Sequence, residues 1–129
     1  MLNNQDFYNP ERIDIEIVRG DTLSYNFQLQ GTGGTEPTRI TFMIKEDYED
    51  SDADALVNLE LADGITLQGY DSETDTLTYC VHMRPDKTEN LDLARYYYDL
   101  QMVIDGDVFT LMKGRFSLDY DVTREADNE

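Results

Sequence analysis

The sequence predicts a single all-β domain, an antiparallel β-sandwich or small barrel of about seven to nine short strands. Three observations predict it: apolar and polar residues alternate with a period of two, turn-forming residues separate the alternating segments, and almost no segment has helical periodicity. Such alternation is typical of strands with one buried face and argues against fully buried parallel strands. The length of 129 residues fits one domain.

The first half of the chain shows the alternation from residue 13 onward. Ile13, Ile15 and Ile17 are separated by Asp14 and Glu16, which predicts a half-buried strand. Turn or loop residues, including a glycine-rich loop and an acidic loop, separate the later segments. Those segments lie at residues 23–29, 40–44, 56–61 and 65–67, the glycine-rich loop at 31–37 and the acidic loop at 47–54.

The second half begins with a turn-rich stretch at residues 69–75 and continues with three predicted strands. One helical turn is expected near residues 85–91, because Pro85 suits a first helical position. Asp105-Gly106 predicts a tight hairpin, since both residues tolerate a positive φ, and Gly114 predicts a bulge or bend. The strands are predicted at residues 77–83, 95–104 and 108–122.

This pattern divides the chain into three parts. Residues 1–11 form a polar N-terminal arm, residues 12–124 form the β-domain, and residues 125–129 form a polar acidic tail. Phe7 and Tyr8 are the aromatic residues of the arm, and we expect the arm to dock through these two rings.

Charge is the most extreme property of the sequence. Twenty-eight acidic residues against ten basic residues give a formal net charge of −18. Nucleic acids and anionic membrane surfaces would repel such a chain, so its expected partners are proteins, particularly those with basic surfaces. Solubility alone is the alternative explanation of the acidity. The single cysteine and the absence of a signal-peptide pattern predict a cytoplasmic location.

No catalytic or metal-binding set is visible. Cys80 and His82 share one face of a predicted strand, but the sequence holds no further Cys or His to complete a zinc site. The acidic loop has the spacing that begins a calcium loop at Asp50, yet Ala55 and Leu61 replace the required Gly and Glu. A looser calcium site in this loop stays open. We therefore predict no enzyme activity and no cofactor.

Three consecutive tyrosines provide the best candidate interface. Tyr96 and Tyr98 should face the core, which turns Tyr97 outward. An outward tyrosine supplies a large contact area at low entropic cost, although single exposed tyrosines are also common. The candidate protein-interface residues are Tyr97, Asp99, Gln101, Phe7 and Tyr8.

Four segments of the sequence resemble a known family. The segment from Ile15 to Thr22 (IEIVRGDT), together with the alternating strand after it, is similar to the opening of the N-terminal immunoglobulin-like domain of phage and prophage baseplate upper proteins. The other similar segments are Thr41 to Lys45, Tyr96 to Gln101, and a closing run of Gly106, Val108, Thr110, Leu111, Gly114, Phe116 and Asp121-Val122-Thr123. The resemblance spans residues 13–124.

The resemblance implies an immunoglobulin-like sandwich in a structural protein of a phage tail or baseplate. Such a protein is assembled in the bacterial host cytoplasm and becomes part of the virion tail. Its partners would be other tail or baseplate proteins, with a homo-oligomer as a further option. A carbohydrate-binding or adhesive β-sandwich module is the alternative function, although the absence of Trp argues against it.

Overall fold

The computed structural model describes residues 10–120, which contain nine strands and two short 3-10 helices. The 3-10 helices are Asp52–Asp54 and Pro85–Lys87. The strands are β1 (Glu11–Arg12), β2 (Ile15–Val18), β3 (Leu23–Gln30), β4 (Arg39–Lys45), β5 (Val57–Leu61), β6 (Gly64–Asp71), β7 (Thr76–Met83), β8 (Arg95–Ile104) and β9 (Asp107–Asp119). The all-β prediction is confirmed.

The strands form one continuous sheet that curls around a single core. The order is β1-β9-β8-β4-β5-β6-β7-β3, and β2 also pairs with β9. Most pairings are antiparallel, but β1 and β2 run parallel to β9, and β5 meets β6 over a short parallel stretch. The sheet is therefore mixed, which corrects the expectation of antiparallel strands throughout. A groove of about 500 Å³ lies beside β3, lined also by Glu11 of β1 and by residues of β8 and β9.

The core is made by the inward residues of the alternating strands. Tyr79 and Phe116 are the largest fully buried side chains. Tyr96 and Tyr98 are also buried, as the alternation predicted. Burying apolar area of this kind is the dominant favourable contribution to folding.

The alternation of β9 changes phase at a β-bulge near Leu111. Gln101 pairs with Thr110 while Leu100 pairs with Met112, so Leu111 is the extra residue. Phe109 before the bulge and Met112 and Phe116 after it can then all face the core. The bulge expected at Gly114 is thus located three residues earlier, and Gly114 has a different role, described below.

Two turn predictions are confirmed, and a third is right only for its second half. Pro85–Lys87 forms a helical turn, shorter than expected, and Asp105 and Gly106 have φ values of 52° and 81°, as the hairpin requires. The turn expected at residues 69–75 is confined to residues 72–75, because β6 extends to Asp71 through an irregularity between Leu67 and Gly69. Within residues 10–120, no helix has the length and apolar character needed to cross a membrane.

Candidate functional site

A groove of about 630 Å³ lies on the outer face of β4, β8 and β9. Cross-strand pairing builds it in two rows. Tyr97 lies between Lys45 on β4 and Arg115 on β9, and Asp99 lies between Met43 and Lys113. Directly paired residues on neighbouring strands have Cβ atoms only about 5 Å apart, so these side chains form one continuous surface. We call it the basic groove.

The β1–β2 connection, residues 13–14, extends the basic groove beyond β9. Ile13 N–H donates to the Lys113 carbonyl at 3.1 Å, and the Tyr98 hydroxyl donates to the Ile13 carbonyl. The Arg115 N–H donates to Asp14 Oδ1 at 3.0 Å. This connection, the strap, holds Asp14 at the rim of the groove, and the short β1 places Arg12 beside Lys113.

Gly114 permits the strap to lie this close to β9. A Cβ atom at position 114 would be 2.3 Å from the Ile13 carbonyl oxygen and 2.9 Å from its carbon. The glycine is therefore required by the close approach of two backbones, a role that glycine in a strand commonly has.

Two tyrosines form the aromatic part of the basic groove. Tyr48, from the acidic loop, is 70% exposed and packs edge-on against Tyr97 with ring centroids 5.6 Å apart. Lys45 fixes the loop, because its Nζ donates to the Asp50 carbonyl at 2.9 Å and to Asp52 Oδ1 at 2.8 Å. The same hydrogen bond lowers the pKa of Asp52.

The basic groove has the opposite charge to the chain as a whole. Four of the ten basic residues line it, against two acidic ones, Asp14 and Asp99. Within residues 10–120, the ion pairs shorter than 4.0 Å are Lys45–Asp52 and Arg84–Asp86. Arg12, Lys113 and Arg115 thus have no carboxylate that close in the described chain, and they can bind carboxylates or other anions.

Asp99 is the acidic residue at the centre of the basic groove. Burial raises the pKa of Asp99, although Lys45 and Lys113 act in the opposite direction. Gln101 lies next to it on the same face and donates from Nε2 to Thr110 Oγ1 at 3.2 Å and, weakly, to Asp99 Oδ2 at 3.4 Å. A half-buried carboxylate between two cations is a feature often found at binding sites.

The structure places three of the five predicted site residues together. Tyr97 and Asp99 line the basic groove and Gln101 lies at its margin. Phe7 and Tyr8 lie outside the described residues. The sequence prediction missed the four basic residues and Tyr48, because their proximity depends on which strands are neighbours. For Lys113 and Arg115 alone, the sequence indicated an outward position on a strand, because they alternate with Met112, Gly114 and Phe116.

The other sequence candidates have ordinary structural surroundings. In the acidic loop, Asp47 accepts a hydrogen bond from Glu49 N–H at 3.2 Å, and Asp50 accepts one from Asp47 N–H at 3.1 Å. Cys80 is half-buried on the outer face of β7, with Sγ 3.5 Å from Ser24 Oγ. In the part of the chain that the structure describes, no three His, Cys, Asp or Glu side chains are arranged to hold a metal.

Comparison with known proteins adds little to this description. The chain matches no protein-family model and no curated protein. Among solved structures it is similar to part of a family 123 glycoside hydrolase from Clostridium perfringens. The two share 9% sequence identity with a TM-score of 0.48, over 87% of this chain and 23% of that one.

Proposed function

We propose that this protein is a structural component of a phage or prophage tail or baseplate, and that it acts by binding neighbouring tail proteins. The resemblance of residues 13–124 to baseplate upper proteins supports the proposal, and the immunoglobulin-like sandwich remains part of it. The protein would then assemble in the host cytoplasm and reside in the virion tail. It is not an enzyme in this proposal.

The basic groove is the observation that carries a protein-binding role. It combines an aromatic pair, Tyr48 and Tyr97, with basic side chains that lack a close carboxylate within residues 10–120. Tyr and Arg are the residues most enriched at the energetic centres of protein interfaces. Most of these side chains project from paired strands, which position a binding site more accurately than loops do.

The chemistry of the basic groove favours a particular partner segment. Arg12 and Arg115 suit carboxylates, which guanidinium groups bind in a bidentate manner, and the tyrosine pair suits an apolar or aromatic side chain. An extended segment that alternates acidic and apolar residues would meet both requirements. Partners with basic surfaces, as predicted from composition, would instead contact the acidic surface outside the groove.

A carbohydrate-binding or adhesive module is the second candidate function. The exposed ring of Tyr48 in the same groove as Asp99 favours it, since sugar sites combine a planar aromatic face with hydrogen-bonding groups. Different measurements test the tail-protein function and the carbohydrate-binding function. A glycan array tests the second, with Tyr97→Ala as the variant that should abolish any binding through the groove.

Particles from the bacterium that encodes this chain provide the direct test. After induction and purification, mass spectrometry should detect the protein in tail-containing particles. Lys113→Glu reverses a charge within the groove and should reduce incorporation about tenfold or more, as expected for like charges brought together at an interface. Lys87→Glu makes the same change at an exposed position outside the groove and should leave incorporation unchanged.

The possible outcomes separate the elements of the proposal. Absence of the protein from purified particles would contradict the tail assignment. Equal incorporation of Lys113→Glu, Lys87→Glu and the wild type would show that the groove is not the binding surface. Glycan binding by a protein that is absent from particles would favour the second candidate.

A further inference from the structure

The sheet region formed by β3, β6 and β7 contains a single charged residue, Asp71 at the end of β6. Residues 22–35, 64–70 and 76–83 contain no Asp, Glu, Lys or Arg, although these four types make up 29% of the chain. The core-facing residues of the strands would be uncharged in any protein. Apart from Asp71 at the end of β6, the outward residues are also uncharged, and on a solvated surface of so acidic a chain that requires an explanation.

Cross-strand register places these outward residues on one surface. Ser24 pairs with His82, and Asn26 pairs with Cys80, which in turn pairs with Thr66 on β6. Their chain neighbours Tyr79 and Val81 are buried, so this second surface faces away from the core. We call it the neutral face; its members are Ser24, Asn26, Gln28, Thr66, Cys80 and His82.

An unprotected strand edge borders the neutral face. In the described part of the chain, β3 pairs with β7 and has no strand on its other side. Edge strands of natural proteins usually carry charges, proline or bulges that prevent other chains from pairing with them. The eight residues of β3, LSYNFQLQ, contain neither a charge nor a proline. The edge and the face together form a surface suited to contact with another polypeptide.

We propose that the neutral face binds the neutral face of a second copy of this chain. The charge distribution identifies the partner. A basic partner would be attracted to the acidic surface and would gain nothing from a neutral one. A second copy also carries −18, so when the same surface of two copies meets, the repulsion is least where that surface has no charge. Contact of the same surface on both copies corresponds to a two-fold dimer.

The size of the surface predicts a weak dimer. Three strands of eight residues, spaced by about 4.8 Å and rising about 3.3 Å per residue, present roughly 14 Å by 26 Å. Two such faces bury roughly 700 Å², below the roughly 1,200 Å² at which stable interfaces begin. We therefore expect reversible association at micromolar or higher protein concentration.

Sedimentation over a concentration series tests the dimer and its location. Asn26→Asp and Gln28→Glu each place a negative charge on the neutral face of both copies, and each should weaken association at least about tenfold. Asn58→Asp makes the same chemical change on the exposed side of β5 and should have a much smaller effect. A wild type that stays monomeric throughout, or an equal effect of Asn26→Asp and Asn58→Asp, would overturn the proposal.

Two further readouts make the test specific. Cys80, the single cysteine, lies on the neutral face, so its labelling by a maleimide should slow as the dimer forms. A labelling rate that does not change across the concentration range of association would place the dimer contact elsewhere. Lys113→Glu, in the basic groove, should not weaken self-association, so this proposal and the tail-binding proposal can fail separately.

Discussion

At the residue scale, Gly114 determines whether the strap can reach β9. In the strap, the Ile13 N–H donates a hydrogen bond to β9 and the Ile13 carbonyl accepts one from β8. Asp14 lies at the rim of the groove and accepts a hydrogen bond from the Arg115 N–H. A Cβ atom at position 114 would collide with the Ile13 carbonyl. Glycine has a hydrogen atom in place of the Cβ and therefore leaves room for this contact. The groove thus depends on a residue that contributes no functional group.

Replacing Gly114 should therefore be costly. We expect Gly114→Ala to lower the free energy of unfolding by about 1–3 kcal/mol, the usual cost of inserting a methyl group where no space exists. Urea denaturation measures it. Gly69→Ala is the matched control, since a Cβ there has no atom within 4 Å, and it should change stability by no more than about 1 kcal/mol. Equal losses in the two variants would contradict this explanation.

The pKa of Asp99 gives a second prediction at the same scale. Burial raises this pKa above the ordinary value of an aspartate, so the folded protein holds the proton more tightly than the unfolded chain does. The associated stability is complete below the unfolded pKa and is lost as pH rises through the folded pKa. Asp99→Asn, which stays neutral, should therefore be more stable than the wild type at pH 7.

The difference between Asp99→Asn and wild type should also depend on pH. Urea denaturation between about pH 4 and about pH 7 should show the advantage of the variant growing as pH rises. Asp107→Asn removes a charge from the exposed hairpin and serves as the control for the change in net charge. An advantage of Asp99→Asn that is constant with pH, or matched by Asp107→Asn, would show that burial of the carboxylate is not the cause.

At the scale of the elements, period-two alternation predicted the strands well but not their partners. The buried apolar residues of β3, β4, β7 and β8 keep one phase from end to end of each strand, and these strands were predicted within two residues at either end. The parallel pairing of β1 and β2 with β9 joins segments about 100 residues apart. Alternation reports which side of a strand is buried, and it contains no information about the neighbouring strand or its direction.

The bulge in β9 shows where the sequence was ambiguous. Phe109 is at an odd-numbered position, whereas Met112 and Phe116 are at even-numbered positions, so the change of phase was readable. A glycine is a frequent bulge residue, which favoured Gly114. The extra residue is instead Leu111. The glycine at position 114 is explained by the close approach of the strap, which the sequence does not reveal.

Deleting the bulge residue should leave the pairing of β8 and β9 intact. Without Leu111, Thr110 and Met112 remain opposite Gln101 and Leu100, in a regular ladder. We expect the deletion variant to fold, with a loss of about 1–3 kcal/mol for the packing of one partly buried leucine. Deletion of Arg115, in the regular part of β9, should prevent folding, because a one-residue slip reverses the faces of a strand. Thermal unfolding and circular dichroism distinguish the two variants.

Because alternation does not identify neighbouring strands, the sequence predicted only part of the candidate site. Alternation placed Tyr97, Asp99 and Gln101 on one face of β8, and this follows from the local sequence alone. The groove exists because β4 and β9 flank β8, bringing Lys45, Lys113 and Arg115 to the same face. These contacts depend on the order of the strands and on the strap. The charge count over the whole sequence therefore showed the acidic excess but not this cluster of basic residues.

At the scale of the whole molecule, charge is distributed unevenly over three kinds of surface. The chain as a whole is acidic, the basic groove is positive and the neutral face has no charge. The two proposed interactions then respond oppositely to salt. Screening weakens attraction between the groove and an acidic segment, but it also weakens the repulsion between two copies with −18 each. Added salt should release a groove partner and promote self-association.

The net charge should also limit the stability of the monomer. The 28 acidic residues of the chain lie closer together in the folded state than in the expanded unfolded chain, so they repel each other more strongly there. Raising NaCl from about 0.1 M to about 1 M shortens the Debye length from about 10 Å to about 3 Å, and we expect Tm to rise by roughly 3–8 °C, corresponding to about 1–2 kcal/mol.

Calorimetry at low protein concentration keeps self-association out of this measurement, and chloride avoids the general stabilisation caused by sulfate. Asp107→Asn, at the exposed hairpin, removes one negative charge and should raise Tm at about 0.1 M NaCl but have little effect at about 1 M, where its repulsion is already screened. A Tm that is independent of NaCl would mean that the acidic residues are too far apart to destabilise the fold. In that case, the repulsion between copies that underlies the role of the neutral face would have to be measured directly.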